Sequence, residues 1–395
     1  MTAHSFRLIA SVLLALVVAT SPARAQSIDT PASHAILIEM ETGAVLFEKD
    51  PDAPIPPASM SKMMTTYIIF DQIKNGSLKM TDMVKVGNEA WRRWAGSEGS
   101  LMFLGAGEQV SVEDIVRGII VPSGNDACTV IAEHLAGTED AFADWMNAKA
   151  AEIGMTNSRF ANASGWPAPD QYVTARDLAT LAERTIRDFP ELYRYYAEKR
   201  FTYGKDFQTG EPITQSNRNP LLFRNDGADG LKTGHTQAAG YGLTASAERE
   251  GRRLIMVVSG LRSMAERARE SSRLINYGFR NFKTYALFEA GETVSDADVW
   301  LGRDAVVPLV TPEAVKLTIT RRARNGMKVV LSHDNPLPAP ITAGQPLGKV
   351  TVTAPDMADV EIPLVAGADV DRIAGFGKIG AAFSYLLFGA ASGGM

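Results

Sequence analysis

At 395 residues the chain has room for two or three domains. Its 45% hydrophobic and 22% charged residues are ordinary for a globular protein and exclude global disorder. A net charge of −5 disfavours a nucleic-acid partner, and a single cysteine excludes an internal disulfide or a Cys-rich zinc site. The five histidines are scattered and form no H-E-x-x-H pair, which argues against a zinc hydrolase. No G-x-x-x-x-G-K-[ST] loop is present, which argues against an NTPase.

The N-terminus reads as a secretory signal. Arg7 precedes the apolar run Leu8–Thr20, and Ala23-Arg24-Ala25 is a small-x-small site that places cleavage before Gln26. The apolar run is well short of the ~20 residues that span a bilayer, so a leader over 1–25 is favoured over an anchor. Losing Arg7 and Arg24 makes the mature chain more acidic.

The β-rich runs His34–Met40 and Ala44–Glu48 flank Glu41-Thr42-Gly43 and predict a hairpin. Pro51, Pro54, Pro56 and Pro57 then stop the strand, and a helix is expected from Ser59 to about Ile73. Val112–Ile120, Asp126–Ala136, Ala141–Ile153 and Ala175–Arg187 predict a helical middle. Strand patterns return at Tyr241–Ala247 and Leu254–Ser259, before a helix over Glu266–Phe279. Strands at both ends with helices between them predict one mostly antiparallel sheet with helices on its faces, an α+β arrangement over 26–283. Residues 284–371 hold short alternating runs, including Val315–Thr320, Lys328–Ser332 and Lys349–Thr353, and predict a separate small β domain. In 372–395, Phe376, Ile379, Phe383, Leu386 and Leu387 recur at three- and four-residue steps. That stripe predicts an amphipathic helix lying on a membrane surface, the alternative being a helix docked on the protein's own core.

Three short motifs carry the chemistry. Ser59-Met60-Ser61-Lys62 is an S-x-x-K at the predicted helix start, where positions i and i+3 share a face. Alone it reads as a Ser cap with a solvated Lys. Ser123-Gly124-Asn125 is an S-x-N that would otherwise be a plain helix cap, and Lys232-Thr233-Gly234 a plain turn into a strand. Together, in this order and in a secreted chain, they exceed coincidence.

This set is shared by class A β-lactamases and penicillin-binding proteins. The wider stretches Pro57–Met63, Ser123–Cys128 and Asp229–Thr236 resemble the low-molecular-mass penicillin-binding proteins, which are serine-type D-alanyl-D-alanine carboxypeptidases of the peptidase S11 group. The resemblance extends to Ser100-Leu101-Met102, the β domain and the tail. It implies a β-lactamase/transpeptidase-like domain, a small all-β domain, and no metal or organic cofactor.

Peptide acyl transfer needs a nucleophile, a base, an oxyanion site and a carboxylate receptor. Ser59 supplies the hydroxyl. Lys62 is the candidate base, provided that burial, the helix start and a second cation at Lys232 depress its pKa. Ser123 can relay a proton to the leaving amine, and Asn125 can hold the substrate amide or orient Lys62. Lys232 and Thr233 can bind the substrate carboxylate, with Gly234 leaving room for substrate along the strand. The resemblance further implies an oxyanion hole from the Ser59 and His235 amides, and basic residues at Arg218 and Arg267 near the site. Ser164-Gly165-Trp166 stands where some members carry His, which argues against a His-assisted step. Cys128 is given no role, and Trp91 and Trp94 read as loop packing.

The expected activity is removal of the terminal D-Ala from peptidoglycan stem pentapeptides, with β-lactams as inhibitors. The expected location is the periplasm, on the outer face of the inner membrane. A β-lactamase would need a Glu element of the E-x-x-x-N kind, and Glu152 has Thr156 four residues on. A D,D-endopeptidase would share every motif. A non-catalytic envelope scaffold is opposed by the intact motif set.

Overall fold

The computed structural model describes residues 28–374, apart from positions 207 and 356. The expected leader at 1–25 and the apolar stripe from Phe376 to Leu387 lie outside these residues.

The chain runs β1 (His34–Glu39), β2 (Val45–Lys49), α1 (Lys62–Lys74), β3 (Met83–Lys85), α2 (Asn88–Trp94) and β4 (Gln109–Ser111). A helical stretch follows with α3 (Val112–Ile120), α4 (Asn125–Ala136), α5 (Glu139–Glu152), α6 (Ala175–Asp188) and α7 (Pro190–Tyr193). Then come β5 (Arg200–Lys205), β6 (Pro212–Ser216), β7 (Ala228–Thr236), β8 (Gly240–Arg249), β9 (Arg252–Leu261) and α8 (Met264–Asn281).

Five strands form an antiparallel sheet in the order β2-β1-β9-β8-β7. Strand β1 therefore closes against β9, with His34 opposite Ser259. Both faces of the sheet are covered, so Ala35–Ile38 of β1 and Leu254–Val258 of β9 are apolar at successive rather than alternate positions. Ile36, Ile38, Ile255 and Val257 enter the helical core on one side. Ala35, Leu37, Leu254, Met256 and Val258 pack on the other side with Leu274 and Ile275 of α8. Each of the larger of these side chains contributes about 1.5–3 kcal/mol when fully buried.

Helix α1 is buried continuously from Lys62 to Phe70, so it runs through the core rather than along a surface. The surrounding helices start on side-chain caps legible in the sequence. Ser111 Oγ accepts from Asp114 N, Thr174 Oγ1 from Asp177 N and Ser263 Oγ from Glu266 N.

The second, all-β unit opens with β10 (Phe282–Phe288), which pairs with Val315–Thr320. A six-stranded sheet completes it around Val307, Leu309, Val350, Val352 and Leu364. The two units meet at a buried carboxylate. Glu39 Oε2 accepts from Thr42 N at 2.8 Å, Thr42 Oγ1 at 2.6 Å and Thr318 Oγ1 at 3.3 Å. Lys316 adds an ion pair to Glu41 at 2.6 Å.

The α+β expectation holds, with two local differences. The expected helix from Ser59 is a 3₁₀ turn over Ala58–Ser61, and the α-helix begins only at Lys62. Lys232-Thr233-Gly234, read as a turn before a strand, lies inside strand β7. Its glycines and polar residues hide the strand, which is held by pairing Leu231 with Ala245 and Thr233 with Leu243.

Candidate active site

Ser59 sits on the 3₁₀ turn that enters α1. In such a turn residues i and i+3 eclipse, which stacks Lys62 on Ser59 more directly than an α-helix would. Lys62 Nζ lies 3.0 Å from Ser59 Oγ, 2.7 Å from Asn125 Oδ1 and 2.5 Å from the Ser164 carbonyl oxygen. The side chain is 0% exposed. Burial is the main cause that pushes its pKa down to about 8, with Arg218 adding repulsion against the pull of Cys128, Asp126 and Glu139. At neutral pH about a tenth of the molecules then carry a free amine.

Strand β7 brings the second cation. Lys232 is buried, and burial first, then repulsion from Lys62 and Arg218, holds it well below its ordinary value. Its Nζ donates to the Thr233 carbonyl at 3.3 Å, and Thr233 is itself buried. His235 faces outward, with its ring stacked on Tyr241 at 3.9 Å between centroids. Arg267 lies 5.8 Å from the same Tyr241 ring and donates to the Arg218 carbonyl at 3.2 Å. Burial brings Arg267 down to about 10. Arg218 donates in turn to Ser100 Oγ at 2.5 Å.

A Cβ on Gly234 would stand 3.1 Å from the Pro57 carbonyl and 3.2 Å from Ala58 Cβ. To the expected room for substrate the structure adds another need, the close approach of β7 to the turn that carries Ser59. Gly124 is similarly enclosed, with the Gly118 carbonyl and the Met102 amide both 3.1 Å from where a Cβ would stand. Ser123 adopts a φ of 68°, and its Oγ is buried with no hydrogen-bond partner among the described residues. A buried, unsatisfied hydroxyl held in a strained conformation calls for a functional explanation. Asp126 accepts from the Met102 amide at 2.8 Å and the Leu104 amide at 3.1 Å, tying the 100–104 segment to the start of α4.

The structure thus joins Ser59, Lys62 and Asn125 by direct hydrogen bonds, and Lys232, Arg218 and Arg267 surround them electrostatically. Asn125 Oδ1 meets Lys62 directly. Sequence reasoning missed the Ser164 carbonyl, because a main-chain acceptor has no residue signature. The nearby signal is Gly165, whose φ is +76° and whose added Cβ would fall 1.8 Å from the Ala58 carbonyl oxygen. Trp94 is buried, stacks edge-on with Trp166 and donates to Thr129 Oγ1 at 2.9 Å, as packing would have it.

The family model described as D-alanyl-D-alanine carboxypeptidase matches residues 19–263. That of the penicillin-binding protein 5 C-terminal domain matches residues 282–372. The D-alanyl-D-alanine carboxypeptidase DacC of Escherichia coli is 38% identical over 376 residues, covering 93% of this chain and 92% of that protein. Penicillin-binding protein 5 from Haemophilus influenzae superposes with a TM-score of 0.76 at 38% identity, covering 87% of this chain and 99% of that one. Penicillin-binding protein D2 of Listeria monocytogenes, solved in an ampicillin-bound form, matches over 64% of this chain and 98% of its own at 27% identity and a TM-score of 0.56. The chain belongs to the D-alanyl-D-alanine carboxypeptidase family, the serine peptidases of the S11 group.

Proposed function

We propose that this enzyme removes the terminal D-Ala of peptidoglycan stem pentapeptides through an acyl-enzyme at Ser59. The observation that carries this reading is the trio of contacts at Lys62 Nζ. A neutral amine has two N–H groups and one lone pair. Asn125 Oδ1 and the Ser164 carbonyl can only accept, so they take the two N–H groups. The lone pair is left facing Ser59 Oγ, the one partner of the three with a proton to give.

Ser59 Oγ attacks the carbonyl carbon of the D-Ala-D-Ala bond as its proton passes to Lys62 Nζ. The Ser59 and His235 amides receive the oxyanion, at about 3 kcal/mol per donor. The substrate carboxylate rests on Lys232 and Thr233, with Arg218 and Arg267 reinforcing the positive field. The C–N bond then breaks, and Ser123 Oγ passes a proton from Lys62 to the departing amine. Water repeats the sequence on the ester and frees Ser59. A β-lactam places a strained amide beside a carboxylate and enters by the same route.

In this reading residues 26–283 hold the chemistry and 284–371 form the β domain. The leader at 1–25 sends the chain to the periplasm. Residues 372–395 rest it on the outer face of the inner membrane. Purified enzyme given a D-Ala-D-Ala peptide should release free D-Ala. After benzylpenicillin, mass spectrometry should find the adduct on the Ser59 peptide. An adduct that persists in Ser59→Ala would refute the assignment.

A further inference from the structure

We propose that Asn162 is a positioning residue for acylation: its side chain folds the 162–166 turn so that the Ser164 carbonyl holds Lys62 with its lone pair on Ser59. This rests on the reading of Lys62 as the base.

Four donors converge on Asn162 Oδ1. They are the amides of Gly165 at 2.8 Å, Trp166 at 3.0 Å and Ser164 at 3.2 Å, and Ser164 Oγ at 3.3 Å. Asn162 Nδ2 donates to the Trp166 carbonyl at 2.8 Å, which also receives Gln171 Nε2 at 2.9 Å. One buried side chain therefore supplies both a donor and an acceptor to the turn. The turn is also tied outward. The Ala163 carbonyl accepts from Thr65 Oγ1 of α1 at 2.6 Å, and the Ala163 amide donates to Glu139 Oε1 of α5 at 3.2 Å. Gly165 closes on the Ala58 carbonyl.

No side chain of the turn hydrogen-bonds Ser59, Lys62 or Asn125 among the described residues. What it delivers is the Ser164 carbonyl, 2.5 Å from Lys62 Nζ. Without that acceptor, one N–H of the amine is free to rotate onto Ser59 Oγ, and the lone pair no longer faces the proton it must take. The ammonium form also loses a hydrogen bond that favours it. The other charged or titratable groups around Lys62 are Cys128 and Asp126 on α4, Glu139 on α5, Lys232 on β7, and Arg218. Of these only Glu139 touches the turn, through the Ala163 amide.

The test is the rate of acylation by a fluorescent penicillin across about pH 6 to 10, for the full chain and for Asn162→Ala and Asn162→Asp. Asn162→Ala should lower the alkaline plateau by about tenfold or more, the scale of one lost hydrogen bond to a charged group. Its acid limb should move to lower pH. Asn162→Asp keeps an acceptor for the three amides and should recover most of the plateau. Its added negative charge should move the acid limb to higher pH. A limb position does not depend on the folded fraction, so a partly unfolded variant still reports it. If both variants keep the wild-type limb, Asn162 is only structural and the proposal is wrong. If the wild-type enzyme itself shows no limb near pH 8, the reading of Lys62 fails instead.

Discussion

Replacing Lys62 with Met should change how stability depends on pH in a way that isolates the buried amine. Lys62 is held at about 8 in the folded protein against an ordinary 10.5. Its folded-state pKa is depressed, so the unfolded chain binds more protons between those values and stability rises with pH across that window. The gap corresponds to about 3 kcal/mol of penalty, fully present below about pH 8 and gone above 10.5. Repulsion from Lys232 has the same sign. In Lys62→Met the carbonyls of Asn125 and Ser164 lose their donor, at about 1–3 kcal/mol each, but that loss does not vary with pH. The wild-type minus variant difference should therefore be flat below about pH 8 and climb by about 3 kcal/mol toward 10.5. Urea unfolding followed by tryptophan fluorescence suits the measurement. Trp91, Trp94, Trp145 and Trp166 lie in the catalytic unit, and of the five tryptophans Trp300 alone lies outside it. A difference curve that stays flat through pH 10 would show that burial does not depress the Lys62 pKa.

Gly165→Ala should destabilise the enzyme by about 2–4 kcal/mol in chemical denaturation, through overpacking and a left-handed φ. It should also slow acylation, because the atom it would strike is the carbonyl oxygen of Ala58, next to the nucleophile. Wild-type acylation in this variant would place the turn farther from Ser59. Ending the chain at Asp371 should move the enzyme from the membrane pellet to the soluble fraction, with turnover of a small peptide unchanged. Five apolar side chains partly inserted at an interface supply a few kcal/mol, enough for reversible attachment. Loss of peptide turnover on truncation would instead make the tail part of the fold.

The motifs were legible because acyl transfer constrains both residue type and spacing. A hydroxyl three residues before a lysine at a helix entrance admits few other readings once an S-x-N and a K-T-G follow. The strands β1 and β9 were legible as apolar runs, since a doubly covered sheet leaves no polar face. Strand β7 was not. Its residues Asp229, Gly230, Lys232 and Gly234 answer to the site and to pairing with β8 rather than to any intrinsic strand preference. The 3₁₀ entry at Ala58–Ser61 was also hidden, because its sequence is equally a helix start, while Gly165 and Gly234 pack against it from distant parts of the chain. Asn162 belongs to none of the motifs, and its partners are the amides of Ser164, Gly165 and Trp166. Side chains that act on the backbone of their own turn leave no long-range pattern to read.

The glycines packed behind Ser59 bear on what antibiotic selection can do to this cleft. Any single substitution at Gly165 or Gly234 adds at least one carbon. That carbon meets a main-chain atom of the Pro57–Ala58 segment at 1.8 Å in the first case and at 3.1 Å in the second. Heritable change on that wall therefore disturbs Ser59 as much as it excludes a drug. The outward side is different. Trp166 is 44% exposed and belongs to the same turn as the Ser164 carbonyl. Its ring packs edge-on against Trp94 and is partly open to solvent. Change that spares the backbone around Ser59 has more freedom at this partly solvated ring than at the enclosed glycines.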